Sequence, residues 1–305
     1  MSNKPMRLKP KGLLSGAPET RKEAARPGFL QRTAATARRW LRGIEKAVRG
    51  PAAGQLVLCL LLAGISVLYT SGLQDETATV LAHKRQLPVY SVARDDNVIA
   101  ISFDAAWGSE QTPELLNILD EYNVKTTFFL VGFWVDKHPD MVKEIVARGH
   151  EIGNHSQTHP HMSQLSESKI KEELGIMSGK VETITGVRPT LFRPPYGDYS
   201  DRVVTTSRSE GYEVVQWSVD SLDWKNFGAD NIVKQCTQNI KSGDIVLFHN
   251  DAQYILKALP TVLEYYQSKG FQIVPVSQIL LKGPTTIDVQ GKQHPIVSPT
   301  PAPTR

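Results

Sequence analysis

At 305 residues, the chain has room for one large domain with appendages, and its formal net charge is +4. That charge is unevenly spread: residues 1–54 carry 13 Lys/Arg against 3 Glu, while the remainder carries 22 Lys/Arg against 28 Asp/Glu. The part that can fold is therefore acidic, which excludes reading the positive total as a nucleic-acid footprint. The two cysteines, Cys59 and Cys236, cannot pair within one chain, because the first lies in an apolar span and the second in a later domain.

The basic head, residues 1–54, is rich in Arg, Ala, Gly and Pro and lacks sustained apolar periodicity. It reads as a cytoplasmic tail, disordered to about residue 31. Residues 33–48 suit either a basic amphipathic helix on an anionic leaflet or a solvated positive-inside tail. Residues 56–73 carry no charge, and within a 55–73 segment they span roughly 27 Å as a helix, enough for a hydrocarbon core. The basic side stays in the cytoplasm, so this anchor places everything after it outside the cell membrane. A cleaved secretory signal is the rival reading, and a buried core helix a third. The charged region is long for a signal, and no clean Ala-x-Ala site follows closely.

A polar linker and leading strand (74–95) precede an alternation of short apolar runs and helical patterns over 96–282. Strands are predicted at 98–103, 126–131, 151–153, 190–192, 213–219, 244–249 and 271–274, with helices at 113–122, 139–148, 166–185, 201–209, 229–240 and 255–268. About seven such units imply an α/β fold with a mostly parallel sheet covered on both faces. A closed or nearly closed (β/α) barrel accounts for them most simply; an open doubly wound sheet is the alternative. The Pro/Thr-rich residues 283–305 are expected to be disordered.

The reactive side chains fall in a pattern. Asp104, His155, Arg193, Asp220 with Asp223, and His249 each lie at the C-terminal end of a predicted strand. In a (β/α) barrel those ends open on one face, where active sites form. His155 and His159, four residues apart, suit a divalent metal. Asp104 is a candidate base with Arg193 to keep it ionised, and His249 a candidate acid oriented by Asp223. This is equipment for metal-assisted hydrolysis of an amide or ester. Asp220 is balanced between a site role and a strand-end cap. His83, His138, His150 and His161 read as ordinary surface or loop residues, and Cys236 as a small buried hydrophobe. Trp107, Phe133 and Trp134 suit either sugar stacking or core packing.

Five motifs occur in order: Ser102-Phe103-Asp104, His155-Ser156-Gln157-Thr158-His159, Arg193-Pro194-Pro195-Tyr196-Gly197, Asp220-Ser221-Leu222-Asp223-Trp224 and Leu247-Phe248-His249. Together they resemble the polysaccharide deacetylases of the NodB-homology, carbohydrate esterase family 4 type, over about residues 96–282. The resemblance implies a distorted (β/α) barrel, here preceded by one transmembrane helix, and removal of N-acetyl groups from a cell-wall glycan of GlcNAc or MurNAc or from chitin-like oligomers. It implies Asp104 as base, His155 and His159 as ligands of a divalent metal (zinc or cobalt), and Arg193 as the group that tunes Asp104. Tyr196 lends a backbone N–H to the oxyanion, Asp223 supports the acid His249, and Trp224 and Leu247 line an acetyl pocket. One position departs from the family pattern: Ala105 stands where a second Asp supplies the third metal ligand. Three readings follow: another donor such as Asp104 completes the site, or the metal binds weakly with slow turnover, or the domain recognises sugar without catalysis. The run Phe103-Asp104-Ala105-Ala106-Trp107-Gly108 is also similar to a subgroup from spore-forming bacteria.

Overall fold

In a computed structural model of the chain, residues 55, 58–67 and 85–296 are described. The chain divides into two units, Met1–His83 and Lys84–Arg305. In the first, residues 58–67 are helical, and Leu58, Leu60, Leu61, Leu62, Ile65 and Val67 are exposed. No helix among the described residues is long and apolar enough to cross a membrane. The remainder of the predicted anchor, the basic head, residues 74–84 of the linker with His83, and residues 297–305 of the predicted tail lie outside the described residues.

The second unit is organised on a parallel sheet. Its strands are β2 (Val98–Ala105), β3 (Thr127–Leu130), β4 (Glu151–Asn154), β5 (Leu191–Phe192), β6 (Glu213–Val214), β7 (Val219–Asp220), β8 (Ile245–His249) and β9 (Gln272–Val274). They run in the order β6-β5-β4-β3-β2-β8-β7, a curled sheet of seven strands, with β9 beside the first half of β2. The helices between them are α1 (Thr112–Glu121), α2 (Gly132–Lys137), α3 (Pro139–Ala147), α4 (Glu167–Thr185), α5 (Asp201–Ser209), α6 (Ala229–Thr237), α7 (Ile255–Ser268) and α8 (Val276–Ile279).

Strand β2 shows why the sheet is covered on both faces. Ile99, Ile101, Phe103 and Ala105 join one core cluster, with Leu115 of α1 and Leu259 of α7, whereas Val98 and Ala100 join a second with Phe129 and Ile245. The pleat sends alternate side chains to opposite faces, and a parallel sheet needs apolar cover on each. The even-numbered face, continued past Ser102, ends at Asp104. Register then levels the strand ends: Asp104 pairs with His249 on β8 and Phe129 on β3, Leu130 with Asn154, and Asn154 with Phe192.

Two expectations are corrected. The predicted strand 213–219 is two strands, β6 and β7, at opposite edges of the sheet, with residues 215–218 crossing the remaining gap. Val214, Val215, Trp217 and Val219 make the run read locally as one strand, but its first residues pair with β5 and its last with β8, on opposite edges of the sheet. Residues 89–92, including β1 (Ser91–Val92), seat beside this crossing through bridges Val89–Val215 and Ser91–Asp244. Residues 283–296, read as part of a disordered tail, instead form β10 (Thr285–Ile287) and β11 (Lys292–Pro295), a hairpin that pairs with β1. Their partner lies far upstream in sequence, so composition alone could not reveal the pairing.

Candidate active site

Asp104, near the C-terminal end of β2, is 6% exposed, and Arg193, immediately after β5, is fully buried. The Arg193 guanidinium donates from Nη1 to Asp104 Oδ1 at 2.8 Å and from Nη2 to the Gln216 carbonyl at 3.1 Å. Its Cζ lies 4.1 Å from the centre of the Phe129 ring, a contact that compensates in part for lost hydration. Burial pushes the Asp104 carboxyl up, but Arg193, then His155 and His249, outweigh it and hold the group below the usual carboxylate range.

The chain after β4 delivers the two histidines. Asn154 Oδ1 accepts from Ser156 N at 2.8 Å, and Ser156 Oγ accepts from His159 N at 3.0 Å, which tightens the turn and brings His159 round at φ +58°. The His155 and His159 rings lie 5.0 Å apart. His155 Nδ1 donates to the Arg193 carbonyl at 2.7 Å, which leaves Nε2 with its lone pair 3.4 Å from Asp104 Oδ2. A ring so pinned through its far nitrogen is the arrangement metal-binding imidazoles use. His159 Nδ1 is buried without a hydrogen-bond partner, and burial together with His155 pushes this imidazole down to about 3.

A second pair stands across β2. His249 Nδ1 lies 2.8 Å from Asp223 Oδ1, and His249 N donates to Asp223 Oδ2 at 2.8 Å, so one fully buried carboxylate fixes both ring and backbone. Burial favours the neutral imidazole, yet the Asp223 hydrogen bond and charge, with Asp104 and Asp220, carry the His249 pKa above its ordinary value. Asp220 Oδ1 accepts from Leu222 N at 2.9 Å, a cap on the turn that presents Asp223, and burial raises its own pKa.

These groups open on one cleft of about 700 Å³, lined by Asp104, His155, His159 and His249 together with Tyr196, Trp224 and Leu247. Tyr196 sits at φ +59° in the turn Pro195–Gly197. Every residue the motifs pointed to except Arg193 and Asp223 lines the cleft; those two are buried behind it and touch Asp104 and His249. Asp251, Trp217 and Asn226 also line it and were not anticipated. Asp251, two residues past His249, was within reach of a strand-end argument. Phe129 beneath Arg193 was not, because only strand register brings β3 to that position. Of the other histidines, His150 proves buried, with Thr126 N donating to its Nδ1 at 3.3 Å; the surface reading fails there because α3 and β4 enclose it. Cys236 is buried and free.

The donors are short of a complete metal set. Ala105 is fully buried in the helix-facing core, and the two wall residues that follow Asp104 into the cleft are Ala106 and Trp107. Among the described residues no three His, Cys, Asp or Glu side chains group as a ready-made metal centre. The orphaned His159 Nδ1 and the free His155 Nε2 nonetheless fit a cation held by two imidazoles, with Asp104 as the adjoining carboxylate.

A family model described as polysaccharide deacetylase matches residues 91–215. A peptidoglycan-N-acetylglucosamine deacetylase of Bacillus cereus is 39% identical over 197 residues, which cover 63% of this chain and 92% of that protein. The chain belongs to the polysaccharide deacetylase family. Among solved structures of this family, a wild-type carbohydrate esterase family 4 pseudoenzyme from Bacillus anthracis shares 31% identity at a TM-score of 0.62, covering 64% of this chain and 69% of that one. A mutant of the same pseudoenzyme, with restored enzymatic activity, matches at 32% identity and a TM-score of 0.62, covering 64% and 71%.

Proposed function

We propose that the chain is a membrane-anchored hydrolase that removes N-acetyl groups from cell-wall amino-sugar polymers, peptidoglycan or chitin-like oligomers. The observation that carries this reading is the convergence of two oriented pairs, Asp104–Arg193 and Asp223–His249, on a cleft that also holds His155 and His159. A divalent cation, zinc or cobalt, would be held by His155 and His159 and when bound would polarise the amide carbonyl and acidify water. Asp104, kept ionised by Arg193, takes a proton from the attacking water. The Tyr196 backbone N–H, presented by its left-handed turn, faces the carbonyl oxygen as negative charge develops there. His249, protonated and aimed through Asp223, gives its proton to the amine nitrogen as the C–N bond breaks. Leu247 and Trp224 wall the acetyl methyl.

The basic head and the uncharged 56–73 support the anchor, with the N-terminus cytoplasmic and the domain outside. A second reading, glycan recognition without turnover, is favoured by the donorless Ala105 and by the likeness to a pseudoenzyme. Acetate release from peptidoglycan and chitin oligomers, measured on the full chain in detergent with zinc, cobalt or chelator, separates the two. The hydrolase releases acetate in a chelator-sensitive way, and His155→Ala abolishes it. A folded chain that binds glycan and releases no acetate with either metal establishes the second reading instead.

A further inference from the structure

Trp107 is 58% exposed, an unusual state for the largest apolar side chain, and it lies on the cleft wall. The turn that carries it is held from beneath. The Gly108 carbonyl accepts from Trp134 Nε1 at 2.7 Å and from Asn250 Nδ2 at 2.9 Å, and both donors belong to buried side chains from separate parts of the fold. Asn250 Nδ2 also donates to Thr112 Oγ1 at 3.0 Å, so the start of α1 is tied to the same point. The indole itself is propped by Phe133, with ring centres 6.3 Å apart, and meets the His159 ring at 5.2 Å edge to face. Two more exposed aromatic residues, Tyr196 and Trp224, line the same cleft.

A side chain exposed because its loop is mobile needs no such support. Here buried donors fix the backbone and neighbouring rings fix the indole, so an apolar face is held open towards the cleft before any ligand arrives. Preorganisation of this kind lowers the ordering cost of binding. The ligand chemistry that fits is a pyranose ring, whose axial C–H groups form an apolar, weakly positive face that matches the negative face of an indole. We infer that Trp107 is a sugar-stacking residue that binds one ring of the glycan on the His159 side of the cleft. This assignment rests on the glycan reading above, and holds whether or not the chain turns its ligand over.

The test is calorimetric titration of the full chain in detergent with chitotetraose and with single GlcNAc, in an Asp104→Asn background that prevents turnover. Trp107→Ala is expected to weaken tetrasaccharide binding about tenfold, the scale of one aromatic stacking contact, and to flatten the gain in affinity from one sugar to four. Trp107→Phe, which keeps a smaller ring, should recover part of the loss and serves if the alanine variant folds poorly. Unchanged tetrasaccharide affinity in Trp107→Ala, with or without a lowered melting temperature, overturns the inference and reduces Trp107 to a packing role. If the parent chain binds no glycan, the inference falls as well, and acetate release by the wild-type chain, assayed in parallel, shows whether the deacetylase reading falls with it.

Discussion

His249 and Asp104 face the same cleft with pKa values displaced in opposite directions, the imidazole raised and the carboxyl lowered. A general base must be ionised, so activity falls as pH drops through the Asp104 pKa. A general acid must be protonated, so activity falls as pH rises through the His249 pKa. Lowering the first and raising the second widens the active window on both sides. Asp223 supplies the leading upward influence on His249, so Asp223→Asn should move the alkaline limb of the kcat profile to lower pH and leave the acid limb in place. An alkaline limb that does not move would remove His249 from the role of acid. The roles proposed for these side chains could be read in the sequence because each sits at a strand end in a motif. What could not be read was support: Phe129 beneath Arg193, and the Arg193 carbonyl that fixes the His155 ring, come from neighbouring strands.

Strands β3 and β4 carry that support through one close contact. Gly153 pairs with Phe129 across the ladder, and a Cβ at Gly153 would fall 2.4 Å from the Phe129 ring. The ring therefore needs a glycine opposite in order to lie where Arg193 rests on it. Gly153→Ala should displace Phe129 and with it the Arg193–Asp104 pair, costing about 1–3 kcal/mol of stability by overpacking. Chemical denaturation and acetate release check this together, and an alanine variant with wild-type values in both would show that the ring has room to move. A second tight approach lies at Gly243, at φ +87°, where a Cβ would meet the Val92 carbonyl oxygen at 1.8 Å. There the chain of residues 89–92 is laid against the loop before β8, and its Val92 N donates to the Gly243 carbonyl at 2.8 Å.

For the whole chain, the charge division decides what is tested first. A head with 13 Lys/Arg against 3 Glu, followed by an uncharged run at 56–73, predicts that the full chain stays in the membrane pellet after alkaline carbonate extraction. Deleting residues 56–73 should release it to the supernatant. A mature N-terminus near residue 75 in the native host would mean that the segment is a cleaved signal and not an anchor.

Local pattern in the sequence determined the β/α alternation, the strand-end placement of Asp104, His155, Arg193, Asp223 and His249, and family membership, because apolar periodicity and short motifs are properties of neighbouring residues. Tertiary structure alone decided that residues 213–219 part into β6 and β7, that 283–296 return as a hairpin on β1, and that Trp107 stands open on a clamped turn. Each of these depends on a partner far away in the chain: the opposite sheet edge for the first, β1 for the second, and Trp134 and Asn250 for the third. Pairings of that kind are set by how the sheet closes, and no window of adjacent residues contains them.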